Sequence, residues 1–88
     1  MNITIDFFGT FKNYGSHIEL ALPDNCLVND IKKKLFEKLK DSESDTVALE
    51  KLISISRLAT NKAILDDNQS YNNLSHLAIL PPVSGGTS

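Results

Sequence analysis

Hydrophobic and polar positions alternate over residues 2–8: Ile3, Ile5 and Phe7 fall on one side, Thr4 and Asp6 on the other. A period of two with β-branched and aromatic residues predicts a half-buried strand. Phe8 then falls on the outer face, beside Thr4 and Asp6. Gly9 and Gly15 bracket a loop holding Phe11, Lys12, Asn13 and Tyr14. Alternation restarts with Ile18, Leu20 and Leu22 opposite His17, Glu19 and Ala21, and it stops at Pro23-Asp24-Asn25, which carries turn chemistry. The two strands predict a hairpin.

The period changes at Val28. Val28, Ile31, Leu35 and Leu39 recur at steps of three and four, which predicts a helix with one apolar stripe. Asn29 is the expected cap, and Asp30 suits the positive helix start. The lysines Lys32-Lys33-Lys34 are expected to spread around the cylinder as a solvated face rather than to form a nucleic-acid patch. Asp41-Ser42-Glu43-Ser44-Asp45 breaks the pattern, and Val47, Ala48, Leu49, Leu52 and Ile53 predict a short second helix. A strand is expected over 55–60, a turn at Asn61-Lys62, a short strand at Ala63-Ile64-Leu65 and a polar loop from Asp66 to Ser70. Tyr71 and Leu74 are expected to pack under that loop. His76 to Leu80 is apolar on both faces, so this last strand belongs in the centre of the sheet.

These elements define an α+β chain. A β-grasp fold satisfies them: a mixed sheet with the first and last strands side by side in its centre and one main helix packed across it. The expected organisation is a β-grasp domain over residues 1–80 and a flexible tail over 81–88.

Composition narrows the function classes. A chain of 88 residues has room for one domain and one modest core. No apolar run approaches the ~20 residues of a membrane helix, and no secretory signal is visible, so a cytoplasmic location is expected. The formal charge of -2 argues against nucleic acid as the main partner. Cys26 is the only cysteine, which excludes an intramolecular disulfide and leaves too few ligands for a usual structural zinc site. His17 and His76 have no carboxylate or cysteine at ligand spacing in sequence. Asp66-Asp67 reads as a turn rather than an acid/base pair. Cys26 is read as a small buried hydrophobe in preference to a reactive thiol.

The chain closes with Leu80-Pro81-Pro82-Val83-Ser84-Gly85-Gly86-Thr87-Ser88. Two prolines end strand pairing, because each lacks an N–H, and they favour an extended backbone. Two glycines then make a thin tip without side chains. Such a tip suits a narrow channel in another protein, while a frayed terminus is the plainer reading of a bare Gly-Gly.

Pro81-Pro82-Val83-Ser84-Gly85-Gly86 resembles the C-terminal signature of the MoaD/ThiS family of ubiquitin-like sulfur carriers, the branch nearest in character being the small subunit of molybdopterin synthase. The likeness extends upstream through Ile5-Asp6-Phe7-Phe8-Gly9, Lys12, Tyr14-Gly15, Leu22-Pro23, Val28-Asn29-Asp30-Ile31, Ala59-Thr60-Asn61, Ile64-Leu65-Asp66-Asp67 and Leu77-Ala78-Ile79-Leu80. Two features depart from it. Asn73-Leu74-Ser75 stands where an Asp-Gly-Asp turn is common, and Thr87-Ser88 follow a diglycine that usually ends the chain.

The resemblance implies a carrier rather than an enzyme. Gly86 would be adenylated by an E1-like partner (MoeB/ThiF-like) using ATP and then converted to a thiocarboxylate. Pro81, Pro82, Val83, Ser84 and Gly85 would position it. The sulfur would pass to a pterin precursor held by a large molybdopterin synthase subunit (MoaE-like). The carrier would bind no metal and no cofactor of its own. Thr87-Ser88 make Gly86 an amide, so a C-terminal peptidase must act first unless those residues are a cloning remnant or the carrier is inactive. Phe8 and Leu80 are the expected docking residues. The alternatives are a carrier for thiamine thiazole or another sulfur-containing metabolite, a ubiquitin-like protein modifier, and a plain interaction module.

Overall fold

The computed structural model describes residues 1–82. The first strand, β1 (Asn2–Phe7), buries Ile3, Ile5 and Phe7 and turns Asn2, Thr4 and Asp6 outward. It pairs antiparallel with β2 (His17–Ala21), as the alternating pattern predicts. The segment between them is a 3-10 turn (Gly9–Tyr14) that drives Phe11 fully into the core. After a tight turn at Asn25, whose φ is +60°, come β3 (Cys26–Leu27) and the main helix α1 (Val28–Leu39). A 3-10 turn (Lys40–Ser42) leads to α2 (Thr46–Ile55), capped by the Asp45 carboxylate, which accepts from the Ala48 N–H at 3.0 Å. The remaining strands are β4 (Arg57–Ala59), β5 (Ser70–Tyr71) and β6 (His76–Leu80).

The main sheet has the order β2-β1-β6-β4. The first and last strands lie parallel in its centre, and β4 pairs antiparallel with β6. The inner face of the sheet and the Val28, Ile31, Leu35 and Leu39 stripe of α1 share one core with Leu49 and Ile53 of α2. This is the β-grasp arrangement: four strands with one main helix across them. No helix among the described residues is long and apolar enough to cross a membrane.

Four local expectations are corrected. Asn29 does not cap α1, since Leu27 holds the cap position and offers no polar side chain. The loop after β4 caps the helix instead: the Val28 N–H donates to the Gln69 carbonyl at 3.2 Å and the Asn29 N–H to the Asp67 carbonyl at 3.3 Å. Asp30 still faces the helix start, where its carboxylate accepts from the Leu27 N–H at 3.2 Å. The strand expected over 55–60 begins at Arg57, because α2 runs through Ile55. The strand expected at residues 63–65 reduces to one bridge, Ala59 to Ile64. There the Thr60 hydroxyl accepts from the Lys62 and Ala63 N–H groups and folds the segment into a turn. A second sheet absent from the expectation pairs Cys26 with Tyr71 and Leu27 with Ser70.

The lysine run is not a uniformly solvated face. Lys32 is only 5% exposed. Its ammonium donates to the Ser56 carbonyl at 2.6 Å, the Asp67 carboxylate at 2.9 Å and the Ser54 carbonyl at 3.3 Å. All three donors of the ammonium are thereby engaged. Two of the acceptors lie at the C-terminal end of α2, where a cation also meets the negative end of the helix dipole. Lys32 thus ties α1 to α2 and to the loop that caps α1.

Candidate functional site

Parallel pairing of β1 and β6 puts the carboxyl ends of both strands at one rim of the sheet. The register sets Phe7 beside Ile79, so Phe8-Gly9 leaves one strand where Leu80-Pro81 leaves the other. Gly9 has φ +58°, and a Cβ built on it would lie 2.7 Å from the Pro81 Cγ. Left-handed backbone already costs an L-residue about 1–2 kcal/mol, and the proline ring fills the space that a side chain would need. A glycine at position 9 therefore lets Pro81 rest against the 3-10 turn, and this contact fixes where the chain departs from the sheet.

The surface under Pro81 is firmly held. Phe11 is completely buried, with its ring 6.1 Å from that of Phe7 in a stacked arrangement. At the far end of the turn, the Tyr14 hydroxyl donates to the Glu43 carboxylate at 2.5 Å, joining the turn to the segment after α1. Burial, together with the bond and charge of Glu43, pushes the Tyr14 phenol up to about 12. The same hydrogen bond, helped by backbone N–H donors, holds the Glu43 carboxyl below its ordinary value.

The structure gathers the expected docking residues at this rim. Phe8 is 42% exposed, and Leu80 is half-buried with Arg57 as its partner in the register. Pro81 is half-buried and Pro82 exposed. Val83, Ser84, Gly85, Gly86, Thr87 and Ser88 lie outside the described residues.

The outer face of the sheet continues from this rim into a polar half. The His76 Nε2 and the Asp6 Oδ2 are 2.7 Å apart, a pairing made by neighbouring parallel strands and invisible in local sequence spacing. They border an open groove of about 600 Å³ that reaches to Thr60, Asn61 and Asn73. Among the described residues, His17 meets only the Ser16 hydroxyl, at 3.1 Å. Cys26 is buried, and burial pushes its thiol up, the opposite of an activated nucleophile. Among the described residues, no cluster of three or more His, Cys, Asp or Glu side chains is placed to hold a metal ion.

The functional reading of the rim missed Gly9, although the signal was present: a glycine directly after a strand that ends in two phenylalanines. Lys32 also carried a signal. Counting 100° per residue, it falls on the stripe of Val28, Leu35 and Leu39 rather than away from it.

The fold and its topology define a ubiquitin-like β-grasp domain. Among solved structures, the chain is similar to the ubiquitin-like domain of Plasmodium falciparum Dsk2, with a TM-score of 0.51 and 18% identity. That similarity covers 93% of this chain and 100% of the other. At this identity the likeness is one of fold. No family model and no curated protein matches the chain.

Proposed function

We propose that this chain is a sulfur carrier whose C-terminal glycine is activated by a partner enzyme, and that it serves molybdopterin synthesis. One observation carries the reading. A ubiquitin-like β-grasp scaffold runs its central last strand, without an intervening element, into Pro81-Pro82 and the sequence Val83-Ser84-Gly85-Gly86. The seat of Pro81 on Gly9 supports it, because a carrier must present its tip from a defined point on a rigid body.

The chemistry assigns little to the carrier itself. Once Thr87-Ser88 are removed by a peptidase, Gly86 bears a free carboxylate, a poor electrophile at neutral pH. An E1-like enzyme (MoeB/ThiF-like) joins it to AMP from ATP, with pyrophosphate leaving. Sulfide-level sulfur, as hydrosulfide or as a persulfide followed by thiol reduction of the acyl disulfide, then displaces AMP and leaves a thiocarboxylate. The large subunit (MoaE-like) accepts the tail, with Phe8 and Leu80 of the rim docking against it, and its bound pterin precursor takes the sulfur. The carrier is not catalytic alone, needs no cofactor of its own and works in the cytoplasm.

Intact mass spectrometry of untagged protein from its own host tests the proposal. The expected species ends at Gly86 and has one oxygen replaced by sulfur. Chains that retain Thr87-Ser88 under every sulfur demand would overturn it, and isopeptide-linked adducts on other proteins would replace it with a protein modifier.

A further inference from the structure

The two edges of the main sheet are treated differently. On one side, β4 has three residues, and the chain folds back over its outer edge. The Leu65 N–H donates to the Leu58 carbonyl at 2.8 Å, the Thr60 N–H to the Ala63 carbonyl at 2.9 Å, and Ile64 bridges Ala59. On the other side, β2 has five residues in unbroken register with β1, and no described strand pairs its outer edge. It carries no proline and no bulge, and Glu19 is its one formally charged side chain, so few of the usual devices blunt this edge.

Which groups this edge offers follows from the register. The Phe7 N–H donates to the Ser16 carbonyl and the Leu22 N–H to the Met1 carbonyl. In an antiparallel ladder the bonded pairs alternate, so Ser16, Ile18, Leu20 and Leu22 direct their backbone groups to β1. His17, Glu19 and Ala21 direct theirs outward. Their side chains are exposed on the sheet face away from α1, whereas Ile18, on the helix side, is half-buried.

We infer that this edge pairs with β2 of a second copy of the chain, antiparallel, about a two-fold axis at Ile18. In that register His17 of each copy faces Glu19 of the other, and the two Ile18 side chains meet on the helix side. Outward backbone groups lie opposite outward backbone groups, as an antiparallel ladder requires. An imidazole N–H of His17 can donate to the facing Glu19 carboxylate across the strands. The neighbouring register, with the axis at Glu19, would set two like charges face to face and is disfavoured. The result is a continuous eight-stranded sheet with both helix layers on the same side. A five-residue edge is a small interface, so the association is weak and appears at high protein concentration. This inference rests on the sheet edge alone and is independent of the sulfur-carrier reading.

The test combines sedimentation velocity over a range of concentrations with cross-linking. The full chain is expected to shift from monomer to dimer as concentration rises. His17→Glu, which sets carboxylates opposite Glu19, should abolish the shift, and the exchanged pair His17→Glu with Glu19→His should restore it. Both positions are exposed, so circular dichroism should be unchanged. In the non-hydrogen-bonded pair at the axis the Cα atoms sit about 4.5 Å apart, within disulfide range. Ile18→Cys should therefore oxidise to a covalent dimer faster than Glu19→Cys. A chain that stays monomeric at millimolar concentration, a dimer indifferent to His17→Glu, or faster cross-linking through Glu19→Cys would each overturn the inference.

Discussion

Lys32 meets Asp67 at 2.9 Å and His76 meets Asp6 at 2.7 Å, two polar pairs of similar geometry in opposite surroundings. The first is enclosed on the lysine side, with Lys32 5% and Asp67 29% exposed, and the ammonium also satisfies two carbonyls at the end of α2. The second lies open on the outer sheet face, with His76 63% and Asp6 41% exposed. Water can replace either partner of the open pair. Lys32 is harder to replace, because its removal leaves the carbonyl of fully buried Ser56 without its donor. Distance therefore says little about what a pair contributes, and burial decides it. The Tyr14–Glu43 bond lies between these extremes, half-buried and short.

The comparison is most exposed to failure at Lys32. Lys32→Ala should cost about 3 kcal/mol, the upper end for leaving a buried acceptor without its donor, read as a lower midpoint in urea denaturation. A loss below about 1 kcal/mol, the level of a surface pair, would show that the enclosed and open pairs do not differ.

Gly9→Ala should follow, at about 1–2 kcal/mol from left-handed strain alone, with the contact to Pro81 adding to it. Gly15→Ala serves as a control for backbone strain at a second glycine, one held in an extended positive-φ region. Gly15 has φ +126° but nothing within 4 Å of its would-be Cβ, so it reports backbone strain without a neighbour. Greater protease sensitivity after Pro82 in Gly9→Ala, and not in Gly15→Ala, would mark the contact with the tail.

Tyr14→Phe should cost about 1 kcal/mol, the net worth of one hydrogen bond, and should change the pH profile. The phenol binds its proton more tightly in the folded chain, up to about 12. Its stabilisation is therefore complete below its ordinary value of about 10 and is lost as pH climbs toward about 12. Glu43 works in the other direction. Its carboxyl is held low, so its contribution is present above the ordinary glutamate value and disappears as pH falls through the depressed one. Tyr14→Phe should flatten both limbs in thermal melts across pH, and an unchanged alkaline limb would rule out the bond as its source.

The smallest effect belongs to the open pair. Asp6→Asn should change stability by no more than about 0.5 kcal/mol, and less in high salt. A larger, salt-insensitive loss would mean that the outer face is shielded from water.

The parts of this fold that sequence made legible are those where a period repeats. The hairpin alternates over five or more positions in each strand, and the α1 stripe repeats four times. The His76–Leu80 strand is apolar on both faces and does lie between two neighbours. The two-residue pairing of Cys26-Leu27 with Ser70-Tyr71 is too short to show any period. Lys32 misled for a different reason: two of its three acceptors are backbone carbonyls 22 and 24 residues away, and a carbonyl has no identity in sequence. At the rim, the exposure of Phe8 was legible from its place on the outer face of the alternating strand. The role of Gly9 depends on an atom it lacks, and only the position of Pro81 reveals that.

The parallel alignment of β1 and β6 also has a mechanical consequence. The chain enters β1 at one end of the sheet and leaves β6 at the other, so tension between the amino terminus and Pro82 acts along both strands in opposite directions. Under that load the hydrogen bonds between them are sheared together rather than peeled one at a time. Where the amino terminus is also held, a pull on the tail therefore loads the sheet in this shearing direction rather than peeling β6 away.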